Sequence, residues 1–218
     1  MTTPDTRPSK STALRIRDWA HVVAPVLAGL FVLAAVLTDP AAGLDGDKLA
    51  RLYADNPDGL AVHALTLHFG YALLIATALF AARLVRGKGA WIANVAAVLG
   101  FLGITTLPGL MFADFLTAAI TQEFGVDGTS AVDQRMSAMW GVGAFVMQGL
   151  PAALLAPTIA AAALWRAGVV KWWGFAAAVV GEIALLGLGV EFWWGAVLAT
   201  VLFVGYSFTL HRAYAVRG

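Results

Sequence analysis

Residues 172–210 read WWGFAAAVVGEIALLGLGVEFWWGAVLATVLFVGYSFTL, 39 residues in which only Glu182 and Glu191 carry a charge. A hydrocarbon core ~30 Å thick is crossed by about 20 apolar residues at ~1.5 Å of helix rise each. One helix of this length would overshoot the bilayer. Two spans of near-minimum length, with a tight turn around Gly187, Gly189 and Glu191, fit it. The stretch therefore predicts a membrane hairpin with spans at about 172–189 and 192–210.

The same reading between charged residues extends to the rest of the chain. Uncharged runs predict spans at about 19–38, 60–82, 91–112 and 137–165, giving six helices in a single domain over 17–212. The stretch 1–16, with Pro4 and Pro8, is expected to be a disordered basic tail, and 213–218 a second short tail. A basic stretch precedes the first span, but its apolar run exceeds the ~7–15 residues of a signal peptide, so the span is expected to be retained. Extra-membrane structure is confined to about 39–59 and 116–135, with a short helix foreseen over Asp45–Tyr53.

Composition agrees with a polytopic membrane chain. Of 218 residues, 60% are hydrophobic and 12% charged, with a mean hydropathy of +0.79. Soluble domains carry about 25% charged residues. The low charge excludes a soluble globule and a nucleic-acid binder. The absence of cysteine excludes disulfides, thiolate metal sites and thiol nucleophiles.

Sorting the basic residues by side sets the orientation. Eleven of the fourteen Lys and Arg fall in the segments that become cytoplasmic if the N-terminus is inside, and three (Lys48, Arg51, Arg135) fall outside. Such a bias predicts that both termini are cytoplasmic, in the plasma membrane. The eight tryptophans cluster at the predicted boundaries, as interfacial anchors do.

An ionisable side chain at membrane depth is the first functional candidate, because burying it is costly. Glu182 lies ten residues past Trp172, about 15 Å into its span. No Lys or Arg shares that depth. Keeping a glutamic acid neutral at pH 7 costs about 3.7 kcal/mol from an ordinary pKa near 4.3. A charged, unpaired carboxylate in apolar surroundings costs more. Glu182 is therefore expected to be neutral, or to face a wet cavity or a protonated His68. The plainer alternative is an acid that acts as interhelical glue, with Thr200 across the hairpin as its partner, worth about 0.6–2 kcal/mol.

Other polar candidates are His68 and Tyr71 in the outer half of the second span, Gln148 at a depth similar to that of Glu182, and Asp114 near the outer surface, with Glu191 and Trp194 at the outer end of the hairpin. His63 and His68 are five apart, about 140° around a helix, so they do not converge on one metal. His21 and His211 are assigned to the inner boundary, where histidines are commonly solvated. No metal or cofactor is expected. Pro108, Pro151 and Pro157 each free a backbone carbonyl one turn earlier, Pro151 that of Met147 beside Gln148. Ala177 and Gly181 read as a close-packing pair.

Two functions follow. In the first, the chain binds or transports a small hydrophobic molecule through an outward-opening polar cavity. His68, Tyr71, Asp114, Gln148 and Trp194 line that cavity, with Glu182 and Glu191 as its acids. Six helices without a repeat are few for alternating access, so a homodimer or a partner membrane subunit is expected. In the second, Glu182 or Glu191 is the catalytic acid of an intramembrane enzyme on a lipid or isoprenoid. The Glu-Phe-Trp-Trp run at 191–194 and the nearby Phe112, Phe115 and Trp140 resemble the acid and aromatic lining of membrane-bound terpene cyclases. That resemblance implies alkene protonation and carbocation stabilisation by aromatic faces.

Overall fold

The computed structural model describes residues 11–189 and 192–217. They form seven helices and no strand: α1 (Thr12–Thr38), α2 (Gly46–Asp55), α3 (Pro57–Leu84), α4 (Ala90–Ser137), α5 (Trp140–Arg166), α6 (Trp172–Gly187) and α7 (Trp193–Arg217). Five of them (α1, α3, α4, α5 and α7) are long and apolar enough to cross a membrane, and α6 is a shorter apolar helix of 16 residues. Large apolar side chains such as Trp91, Phe101, Ile183 and Val201 are exposed on their outer faces. Several apolar helices with such a perimeter point to a membrane protein.

Helix packing closes a ring. α1 packs between α3 and α7, α3 meets α5, α5 meets α6, and α6 meets α7. α4 lies outside the ring against α3 and α5. The ring is filled by small residues, among them Ala78, Ala81, Ala156, Ala160 and Ala178, with Tyr206 and Leu210 among them. In lipid, helices gain little from hydrophobic burial, so close van der Waals approach holds them together. Glycines set the closest approaches. A β-carbon on Gly29 would strike Thr200 of α7, one on Gly149 would strike Thr106 of α4, and one on Gly174 would lie 2.6 Å from the Thr209 hydroxyl oxygen.

Helix ends differ from expectation in three places. α1 begins at Thr12, inside the stretch expected to be disordered, where the Ser11 hydroxyl accepts the Leu14 N–H at 3.4 Å. Residues 1–10 of that expected tail lie outside the described residues. At the other end α7 continues to Arg217, through most of the expected second tail.

The third difference is the segment 116–135, which is helical instead of a loop. α4 runs on past the expected span and breaks at Gly125, whose φ of 70° and ψ of −178° suit glycine alone. Across the break the hydroxyls of Thr121 and Thr129 meet at 2.7 Å, although eight residues of straight helix span about 12 Å. The chain therefore doubles back on itself. The folded-back end and α2 form an outer cap, tied by a 2.6 Å hydrogen bond from Gln122 Nε2 to the Ala54 carbonyl. Tyr53, Ala41, Leu60 and Ala118 fill its small core.

Candidate functional site

Two polar constellations are built into this scaffold, one inside the ring and one beneath the outer cap. The inner one centres on Glu182, which α6 points inward and which is 3% exposed. Its Oε2 accepts a hydrogen bond from the Thr158 hydroxyl of α5 at 2.5 Å. Its Oε1 is buried without a hydrogen-bond partner among the described residues. Tyr206 of α7 is buried nearby, within electrostatic range of both Glu182 and Tyr214. No basic side chain forms an ion pair with Glu182 among the described residues.

Towards the end of the bundle that carries the chain termini, α1 buries His21 completely. Its Nδ1 lies 2.7 Å from the Tyr214 hydroxyl, and its ring stacks on Phe80 of α3 at 5.3 Å between centroids. Nε2 has no partner among the described residues, and neither does the buried Ser207 hydroxyl on α7. Tyr214 also lines a cleft of about 230 Å³ with Arg15, Asp18, Trp19 and His211.

The outer constellation joins Asp39, Tyr53, His63 and Asp114. His63 Nδ1 lies 2.9 Å from the Ala35 carbonyl, which can only accept, so Nδ1 carries the proton. The same nitrogen is 4.0 Å from Asp39 Oδ2, and Asp39 Oδ1 accepts the Ala41 N–H at 2.9 Å. Asp114 is within electrostatic range of His63 and Asp39. Burial, then the charges of Asp39 and Asp114, then a hydrogen bond with Asp39 hold the Tyr53 phenol above its ordinary titration range. His63 Nδ1, Asp39 Oδ1 and the Tyr53 phenol each have a partner close by, and no cluster of three potential metal ligands occurs among the described residues.

The candidate residues read from the sequence are dispersed over the molecule. Glu182 belongs to the inner constellation and Asp114 to the outer one. Tyr71 is partly buried against the apolar clusters of the outer half. His68 is half-buried, edge-on to Phe69 at 5.5 Å. Gln148 is exposed on the perimeter of α5, and Trp194 is exposed and stacked on Phe192 at 5.7 Å. Glu191 lies outside the described residues.

One partner has to be corrected. Thr200 does not face Glu182: it packs on Gly29 of α1, and its hydroxyl donates to the Ala196 carbonyl at 2.8 Å. The true partner, Thr158, sits immediately after Pro157, a position that draws attention only through that proline. His21 was missed for a different reason. Its distance from the end of the chain suggested an interfacial histidine, yet α1 starts early enough to carry it into the bundle. Compared with known proteins, the chain matches no family model, no curated protein and no solved structure.

Proposed function

We propose that this chain is a six-span protein of the plasma membrane, with both termini cytoplasmic, that binds and moves a small hydrophobic molecule with Glu182 as its protonatable site. The observation that carries the reading is the environment of that acid. A carboxyl group shut inside a ring of helices, with one oxygen held by Thr158 and the other unpartnered among the described residues, is costly to maintain. Helix glue would use both oxygens. A group that gains and loses a proton keeps one face open for it.

The six-span count needs α6 as the fifth span. Its 16 residues rise about 24 Å, short of the ~30 Å core but extended by the flanking turns. The eleven-to-three bias of basic residues supports it, since only an even number of spans puts both basic ends on one side. Tyr71 and His68 lie outward of Glu182 and are the polar side chains available for a route towards the outer cap. A second copy or a partner subunit would complete the carrier.

The enzyme reading has less support. Phe203 packs at Gly181, beside the acid, and Trp194, in the first turn of α7, lies nine residues earlier, about 13 Å further out along the axis. The aromatic run therefore does not surround Glu182. The rings at its level, Phe203 and Tyr206, are 1% and 4% exposed and fill space between helices instead of lining a cavity.

The test uses the purified chain in nanodiscs. Small molecules that co-purify with it are identified by mass spectrometry, and their retention is measured as pH is varied. Glu182→Gln keeps the size and hydrogen bonding of the neutral acid, so folding is expected to be preserved while the pH dependence of retention is lost. Full pH dependence in the Gln variant would reduce Glu182 to helix glue.

A further inference from the structure

The inner constellation holds three buried polar atoms without partners among the described residues, His21 Nε2, Ser207 Oγ and Glu182 Oε1, on three different helices. Buried polar groups in folded proteins are almost always satisfied, and an exception calls for an explanation. Three exceptions in one bundle call for a common one.

Helix register places them in order. Gly29 of α1 meets Thr200 of α7. The two helices run antiparallel, so His21, eight residues before Gly29, is level with about residue 208 of α7. Ser207 is seven residues, two turns, beyond Thr200 and so lies on the same α1-facing stripe of α7. His21 and Ser207 are therefore level in depth, with His21 about 80° around α1 from Gly29, between α7, where it meets Tyr214, and α3, where it stacks on Phe80. Tyr214, a further seven residues along that stripe, bonds His21 Nδ1 and lines the cleft. In the other direction Gly181 of α6 meets Leu202 and Phe203, which sets Glu182 about one turn outward of Tyr206.

We propose that Tyr214, His21, Ser207 and Tyr206 form a proton path from the cytoplasmic cleft to Glu182, with Tyr214 and His21 as its mouth. It deepens the reading of Glu182 as a protonatable site and rests on it. The path covers about 18 Å of α7, from the level of Tyr214 to that of residue 202. Its side chains supply the polar stations, and the path requires transient waters between them, for which the unpartnered atoms of His21, Ser207 and Glu182 are the partners.

The pair at the mouth moves a proton without accumulating charge. With the Tyr214 hydroxyl donating to Nδ1, the neutral imidazole carries its proton on Nε2, facing inward. Nδ1 takes the phenol proton as Nε2 releases its own towards Ser207. A hydronium ion in the cleft restores the phenol, and at the far end the Glu182 carboxylate becomes the carboxylic acid. One proton enters and one is bound. The titratable groups around His21 are Asp18 on its own helix and Tyr206, His211 and Tyr214 on α7. α3 contributes the Phe80 ring, with Arg83 exposed about one turn further on.

The experiment is infrared difference spectroscopy of the full chain in nanodiscs. A carboxylic-acid C=O band that disappears in Glu182→Gln reports the protonated acid, and its downshift after transfer to D₂O times the arrival of deuterons. Tyr214→Phe keeps the ring that packs against His21 and removes only the hydroxyl. It is expected to slow that downshift at least tenfold, with thermal stability lowered only by the loss of the one hydrogen bond to His21. His21→Phe, which retains the stacking on Phe80, is expected to do the same. A band present in both proteins with an unaltered exchange rate in Tyr214→Phe overturns the path alone. No such band in the wild type overturns the reading of Glu182 and the path with it.

Discussion

The two polar constellations contain similar residues, a histidine, a tyrosine and carboxylic acids, yet their construction is opposite. Beneath the outer cap, His63, Asp39 and Tyr53 satisfy one another and the backbone, and they pin the end of α1 to α2 and α3. Inside the ring, His21, Ser207 and Glu182 each keep a polar atom unpartnered. A saturated polar cluster rigidifies, because every hydrogen bond lost leaves a buried group behind. An unsaturated one holds capacity to exchange a proton or bind a ligand. On the function proposed above, the outer cluster serves architecture and the inner one is the working site.

The sharpest way to break that division is to damage the cap and watch the core. Gly125 occupies a backbone conformation that other residues reach only at a cost of about 1–3 kcal/mol. Gly125→Ala is expected to destabilise the doubled-back end of α4 and loosen α2, seen as faster amide exchange over 46–55 and 126–137. The pH dependence carried by Glu182 should not change. Loss of that dependence in Gly125→Ala would join the two regions into one functional unit.

A smaller effect is expected from Tyr53. Its phenol is held above the ordinary value of 10.0, so the folded protein binds that proton more tightly than the unfolded chain. The stabilisation is complete below pH 10 and declines as pH rises beyond it. Tyr53→Phe should lose about 1 kcal/mol at neutral pH with the hydrogen bond to Asp39. Its thermal stability should then fall less steeply than that of the wild type when measured in steps through the alkaline range.

The difference between the regions also explains what the sequence disclosed. Apolar runs bounded by charge are a one-dimensional property, and they located α1, α3, α5, α6 and α7 to within a few residues at most ends. The depth of Glu182 followed from counting along its helix. The identity of its partner depends on which faces of α5, α6 and α7 meet, and that is set by glycine contacts such as Gly174 with Thr209, which no linear spacing encodes. The outer loop expected over 116–135 is helical on both sides of a single glycine, Gly125, whose non-helical backbone turns the chain between them. The offset between neighbouring helices was likewise invisible: counting placed Gln148 at the depth of Glu182, whereas α5 meets that acid at Thr158, about 15 Å further along, and turns Gln148 outward.

Gln148 therefore gives the smallest and most discriminating prediction. It is exposed on α5, in a run where Met147 and Leu150 are exposed as well. An amide on the perimeter at this depth makes no contact with Glu182, whose α5 partner is Thr158, ten residues and about 15 Å further along the helix. Gln148→Leu should shift stability by no more than about 0.5 kcal/mol, as changes away from packed or satisfied groups do. Ligand retention and its pH dependence should match the wild type. The interesting failure is a change in oligomeric state, measured by mass photometry in nanodiscs. A polar side chain facing lipid gains from meeting a second helix, and interhelical hydrogen bonds of that kind contribute about 0.6 kcal/mol on average. If Gln148→Leu dissociates a dimer, the perimeter of α5 is the interface with a second copy. If it leaves the assembly untouched, that interface lies elsewhere and Gln148 is a tolerated surface amide.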